Sequence, residues 1–169
     1  MSTFGDTRTG ANRPVWQDLL LAIIPVVLVS AIGGGVTSAE TSTWYPTLAK
    51  PPFQPPNWVF GPVWTTLYAL MAYGVFRVLR LAPGTPGRWQ ALVLYHVQLA
   101  FNFAWSLVFF GLNSPLGGLF VIVPLWGLIL LMILGFRAVD PLAGNLQWPY
   151  LAWVSFATLL NASIWWLNG

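Results

Sequence analysis

The sequence contains no cysteine and a single histidine, and only 7% of its 169 residues are charged, against roughly a quarter in an ordinary soluble domain. Without cysteine, disulfides and thiolate metal sites are excluded, and the redox compartment cannot be read. Paired carboxylates for acid–base work, a Ser/His/Asp constellation, a phosphate-cradling glycine loop and a metal-ligand cluster are missing as well. No metal and no required cofactor is therefore expected. The pI of 9.7 would suit a nucleic-acid binder, but the net charge is only +3. Orientation in a membrane accounts for that excess better, and no nucleic-acid partner is expected. The apolar segments hold almost no ionisable groups, Asp18 near the start of one and His96 deep in another, which argues against a pump or proton-coupled transporter. His96 has two readings, an axial haem ligand or a histidine hydrogen-bonded within the fold, and the second is the plainer.

What the chain does have is apolar bulk. It is 57% hydrophobic and carries eleven tryptophans, rings suited to a membrane interface or to a pocket for a flat ligand. Five apolar segments, about Trp16 to Val36, Trp58 to Leu79, Trp89 to Leu112, Leu116 to Phe136 and Trp148 to Leu167, each approach the roughly 20 residues a spanning helix needs. They lack the alternation of barrel strands. The expected fold is an all-α membrane protein, a five-transmembrane-helix bundle, with residues 1–15 a short polar tail and 16–169 one domain. Gly33-Gly34-Gly35 is read as the end of the first span, and "APGTPGR", "NSPLGG" and "AVDPLAGNLQ" as the later breaks. Thr37-Ser38-Ala39 resembles a signal-peptide cleavage site, but the preceding apolar run is longer than a usual signal core. Arg8, Arg13, Arg77, Arg80, Arg88 and Arg137 fall on one side of such a bundle and Lys50 alone on the other. That imbalance predicts a cytoplasmic N-terminus, with the loop between the first two spans and the C-terminus on the outer side.

Helical spacing gathers the candidate site residues. Gln98, Asn102, Trp105 and Phe109 share one face of the third span, and Tyr150, Trp153, Ala157 and Asn161 one face of the fifth. Trp64 and Tyr68 are four apart in the second. Buried amides on such faces serve interhelical hydrogen bonding, ligand contact or both. Leu70, Tyr73 and Arg77 make a weak sterol-type pattern. Between the first two spans, "KPPFQPP" should be stiff and extended. With Trp44, Tyr45 and Phe53 beside it, the loop is either a lid over the bundle mouth or a strap that seals it.

The runs "WYPTLAKPPFQPPNWVFGPVWTTLYALM", "QLAFNFAWSLVFFG" and "PYLAWVSFATLLNASIWWLN" resemble the TspO/translocator protein family, the tryptophan-rich sensory proteins. The likeness extends from about Trp16 to the end. It implies five transmembrane helices, a homodimer, and binding of porphyrins such as protoporphyrin IX or haem, with a role as receptor or sensor, as transporter of porphyrin or sterol, or as a light- and oxygen-dependent porphyrin-degrading enzyme. Carried over by position, Trp44, Tyr45, Trp64, Tyr68, Asn102, Trp105, Trp153 and Ala157 would form the pocket, with Trp64 and Trp153 the candidates for photo-oxidative chemistry. The sequence lacks the C-terminal Tyr/Arg element of animal members, which favours porphyrin over sterol. With the pocket so placed, the proline loop reads as a lid whose end runs into the pocket wall.

Overall fold

The computed structural model describes residues 13–169, and all regular structure among them is helical. Helix α1 spans Val15–Ser42, α2 Phe60–Leu79, α3 Arg88–Ser106, α4 Pro115–Val139, α5 Pro141–Asn145 and α6 Trp148–Asn168. Five stretches, α1, α2 with its 3₁₀ lead-in, α3 with its extension, α4, and α5 with α6, are long and apolar enough to cross a membrane. The expected five-helix bundle is found. Most of the polar tail lies outside the described residues, and its last member, Val15, is already helical.

The first span departs from the sequence reading. Gly33-Gly34-Gly35 does not end α1, which continues for two more turns to Ser42. In lipid no water competes for the backbone of a glycine run, so its helical hydrogen bonds persist. The connection to α2 shrinks to Thr43–Pro56, with a 3₁₀ turn at Tyr45–Thr47 and another at Asn57–Val59 leading into α2. Helix α3 ends in a π-helical segment, Leu107–Gly111, in which the Leu112 N–H reaches back to the Leu107 carbonyl at 2.9 Å. Widening the helix there turns both Phe109 and Phe110 inward, where they are 2% and 6% exposed.

Local chemistry sets the breaks. Gly87 enters α3 at φ +82°, a left-handed conformation that strains a side chain, and a Cβ there would also press on Val139. The Ser114 Oγ accepts from the Gly117 N–H to cap α4. At the α4–α5 junction Asp140 accepts from the Ala143 N–H at 3.0 Å and from Arg77 Nη2 at 2.8 Å, tying the end of α2 to that corner. Burial pushes the Asp140 carboxyl up, but the Ala143 N–H and the Arg77 guanidinium outweigh it and hold the pKa below the ordinary carboxylate value.

Helix α4 packs on both α3 and α6, while α1 leans on α2 and the end of α3. The centre of the bundle holds Met71, Tyr95, Ile129, Met132, Ile133 and Phe136, all fully buried. At the end carrying the arginines, buried Asp18 of α1 meets Arg80 Nη1 at 3.0 Å and Arg13 Nε at 3.3 Å. Arg88 donates to the Val78 and Leu79 carbonyls, satisfying the C-terminus of α2. His96 keeps to its own helix, with Nδ1 2.8 Å from the Leu92 carbonyl. In the sterol-type pattern Arg77 lies over the Tyr73 ring and is paired with Asp140.

Candidate functional site

A cavity of about 360 Å³ lies between α1, α2 and the end of α3, toward the loop end of the bundle. One wall is aromatic: Phe60, Trp64 and Tyr68 of α2, Trp105 and Phe110 of the third span, and Tyr45 of the loop. Trp64 and Tyr68 lie 5.5 Å apart at a shallow tilt, and Trp105 stacks at 5.5 Å on Phe109. Opposite stands α1 with Ser30, Gly33, Gly34, Thr37, Ser38 and Thr41. The cavity is thus aromatic on one side and lined with glycine and small hydroxyl residues on the other. Such a surface suits an extended ring system with a polar edge.

The α2 wall is held by a buried chain of hydrogen bonds. The Tyr68 hydroxyl donates to Asn102 Oδ1 at 2.8 Å, Asn102 Nδ2 donates to the Tyr150 hydroxyl at 3.0 Å, and that hydroxyl donates to Gln98 Oε1 at 3.0 Å. A second pair fixes the floor, with Trp105 Nε1 donating to Asn161 Oδ1 at 3.1 Å and Asn161 Nδ2 to the Pro115 carbonyl at 2.7 Å. Each amide is committed to protein partners, which fixes ring orientation before any ligand arrives. Tyr45 is buried against Phe109 and Phe110, with Lys50 Nζ 5.0 Å above its ring. Burial pushes its hydroxyl up to about 12, so it stays a neutral group at physiological pH.

Of the residues picked from sequence, Tyr45, Trp64, Tyr68 and Trp105 border the cavity together. Asn102 stands directly behind Tyr68. Trp44 packs edge-on against Phe109, outside the lining. Ala157 is buried within the bundle. Trp153 faces elsewhere, onto an open groove between α2 and α6 that it shares with Pro62, Val63 and Phe156. Between it and the cavity stands Phe60, 5.7 Å from the Trp153 ring. The α1 face was missed altogether. Its signal is present, since Ser30, Gly34, Thr37 and Thr41 recur at steps of four, three and four, but glycine, serine and threonine read as a break rather than a wall.

The TspO/MBR family model matches residues 21–167. The chain is 42% identical over 154 residues to the tryptophan-rich protein TspO of Chlorobaculum tepidum, covering 90% of this chain and 98% of that one. To the human translocator protein it is 37% identical over 153 residues, covering 90% of each. The tryptophan-rich sensory protein of Cereibacter sphaeroides is 38% identical over 139 residues, 80% of this chain and 85% of the relative. A family match across nearly every spanning helix, joined to relatives aligned over almost their whole length, leads to one conclusion: the chain belongs to the TspO/MBR family.

Proposed function

We propose that this protein is an integral membrane receptor or sensor that binds a porphyrin, protoporphyrin IX or haem, in the cavity between α1, α2 and α3. The observation that carries the reading is the cavity itself, with Trp64, Tyr68 and Trp105 lining one side and α1 hydroxyl residues the other. Its volume falls in the range of small-molecule pockets, roughly 300–1,000 Å³. Ring stacking and apolar burial supply the affinity. In this reading the hydroxyls of Thr37, Thr41 and Tyr68 meet the polar edge, the last two as acceptors because they already donate to the Ser38 carbonyl and to Asn102. Asn102 acts through Tyr68, and Trp105 through its ring, since the indole N–H is held by Asn161. The names of relatives as sensory and translocator proteins support a sensor, receptor or carrier class. In this reading the protein works as a homodimer in the bilayer, with the arginine-rich end in the cytoplasm.

A titration of the purified protein with protoporphyrin IX tests it: tryptophan fluorescence should quench along a saturable one-to-one curve. Linear quenching with no plateau sinks the proposal. A second reading, light- and oxygen-dependent degradation of the porphyrin, is favoured by the Trp64 ring on the cavity wall. The chemistry would belong to the excited porphyrin and oxygen, with the protein confining them. Bleaching of the Soret band under illumination should then slow in Trp64→Phe, while an unchanged rate rejects that role.

A further inference from the structure

We infer that Lys50 is the recognition point for a carboxylate on the ligand, so that the site selects flat apolar acids over neutral molecules of the same shape. The inference rests on the binding reading above and adds the ligand's charge class and the residue that reads it.

The cavity has no counter-charge of its own. Its lining holds no acidic or basic side chain, and an ionised carboxylate taken into such a space without a partner is costly. An acid bound there keeps its ring system among the aromatic side chains and its carboxylates at an opening. One opening lies toward the loop, where Ser38 of α1 and Asn57 just ahead of α2 line the cavity and are exposed at the same time. Tyr45 of the loop borders the same space.

Over the Tyr45 ring stands the Lys50 ammonium, 5.0 Å from the ring centroid. It donates to the Pro46 carbonyl at 3.2 Å, and an ammonium has three donors, so the rest of its capacity is unspent. Among the described residues no acidic side chain forms an ion pair with Lys50, and Glu40, the acid of this end, accepts from the Thr43 hydroxyl. The arginines are gathered at the opposite end of the bundle. There Arg13 and Arg80 meet Asp18, Arg77 meets Asp140, and Arg88 holds the carbonyls that end α2, while Arg137 lies in the last turn of α4. Lys50 is thus the one cation beside the mouth among the described residues.

Its backbone is fixed on both sides. Asn168 at the end of α6 grips Ala49 by a reciprocal pair, Oδ1 accepting from the Ala49 N–H at 2.8 Å and Nδ2 donating to the Ala49 carbonyl at 2.9 Å. Pro51 and Pro52 stiffen the chain that follows. A cation on so rigid a base, resting on a ring face and short of an anion, gives a carboxylate at the mouth a charge-assisted partner at little ordering cost.

The test compares protoporphyrin IX with its dimethyl ester, which keeps the ring system and loses both ionisable groups, by tryptophan quenching in the same non-ionic micelles. Lys50→Met keeps an unbranched side chain and removes the charge; Lys50→Arg keeps the charge. Each variant's Kd is taken relative to the unsubstituted protein with the same ligand, which cancels the different partition of acid and ester into micelles. Lys50→Met should weaken the diacid about fivefold or more and leave the ester within about twofold, while Lys50→Arg stays within about threefold for both. Raising salt from about 0.05 to about 0.5 M should weaken diacid binding in the unsubstituted protein and leave that of Lys50→Met unmoved. Equal losses for acid and ester overturn the inference, because Lys50 would then act only by packing on Tyr45. A diacid Kd that Lys50→Met leaves within about twofold overturns it as well, with the binding reading left standing. Absence of saturable binding of either compound by the unsubstituted protein removes the binding reading itself, and the role of Lys50 with it.

Discussion

Gly118→Ala adds one methyl group to α4 at a place with no room for it. The new Cβ would stand 2.7 Å from Asn161 Oδ1 and 2.9 Å from the Phe109 ring, both closer than real Cβ contacts. Neither neighbour is free to yield. Phe109 is 2% exposed and stacked on Trp105, and Asn161 is held by Trp105 Nε1 and the Pro115 carbonyl. Overpacking of this kind costs about 1–3 kcal/mol, and displacing Asn161 forfeits interhelical hydrogen bonds worth about 0.6 kcal/mol each. The expected loss is about 2–4 kcal/mol of stability, with weakened porphyrin binding because Trp105 loses its anchor. Gly127→Ala on the same helix is the control, since a Cβ there meets nothing within 4 Å, and its effect should stay within about 0.5 kcal/mol. Reversible unfolding in mixed micelles measures both. Equal, near-neutral effects of the two alanines would refute the packing argument for the cavity floor.

Other outcomes follow from the same geometry. Gly74→Ala places a Cβ against Gln147 Nε2 and 3.2 Å from the Ala143 carbonyl, so Gln147 must give up its bonds to Leu70 and Ala143. It should cost about 2 kcal/mol alone and clearly less in a Gln147→Ala background, where only the contact with the Ala143 carbonyl remains, and simple additivity in the double-mutant cycle would contradict the Gln147 contact. Asp140 has its pKa held below the ordinary carboxylate value, so its contribution is complete above the unfolded pKa of about 4 and is lost as pH falls through the lower folded value. Melting curves from pH 6 to pH 3 should therefore lose stability at the acid end more steeply in the unsubstituted protein than in Asp140→Asn, and identical slopes would count against the Arg77–Asp140 clasp.

Much of this was legible because the membrane simplifies the code. Apolar length and the Pro/Gly breaks mark the five spans, and amides inside them must find partners. The Asn102–Tyr150 and Trp105–Asn161 bonds join residues that periodicity puts on one stripe of the third span and one stripe of the fifth. Spacing along one helix, however, says nothing of which neighbour a stripe meets. Trp153 shares a stripe with Tyr150 and Ala157, yet it is half-buried and turned toward the α2–α6 groove while the others face inward. The π-helical turn at Leu107–Gly111 also escaped notice, because one extra residue per turn leaves no compositional trace. Gly33-Gly34-Gly35 misled for the opposite reason: a glycine run that breaks helices in water is continuous helix in lipid, and there it shapes the cavity.

The central claim is that the cavity behind Trp64, and not the groove beside Trp153, holds the porphyrin. Protoporphyrin IX affinity measured side by side for Trp64→Ala and Trp153→Ala tests it most directly. Removing the Trp64 ring should cost about 2 kcal/mol, roughly thirtyfold in Kd, while removing Trp153 should change Kd by less than threefold. The reverse order, or equal losses, would contradict the account.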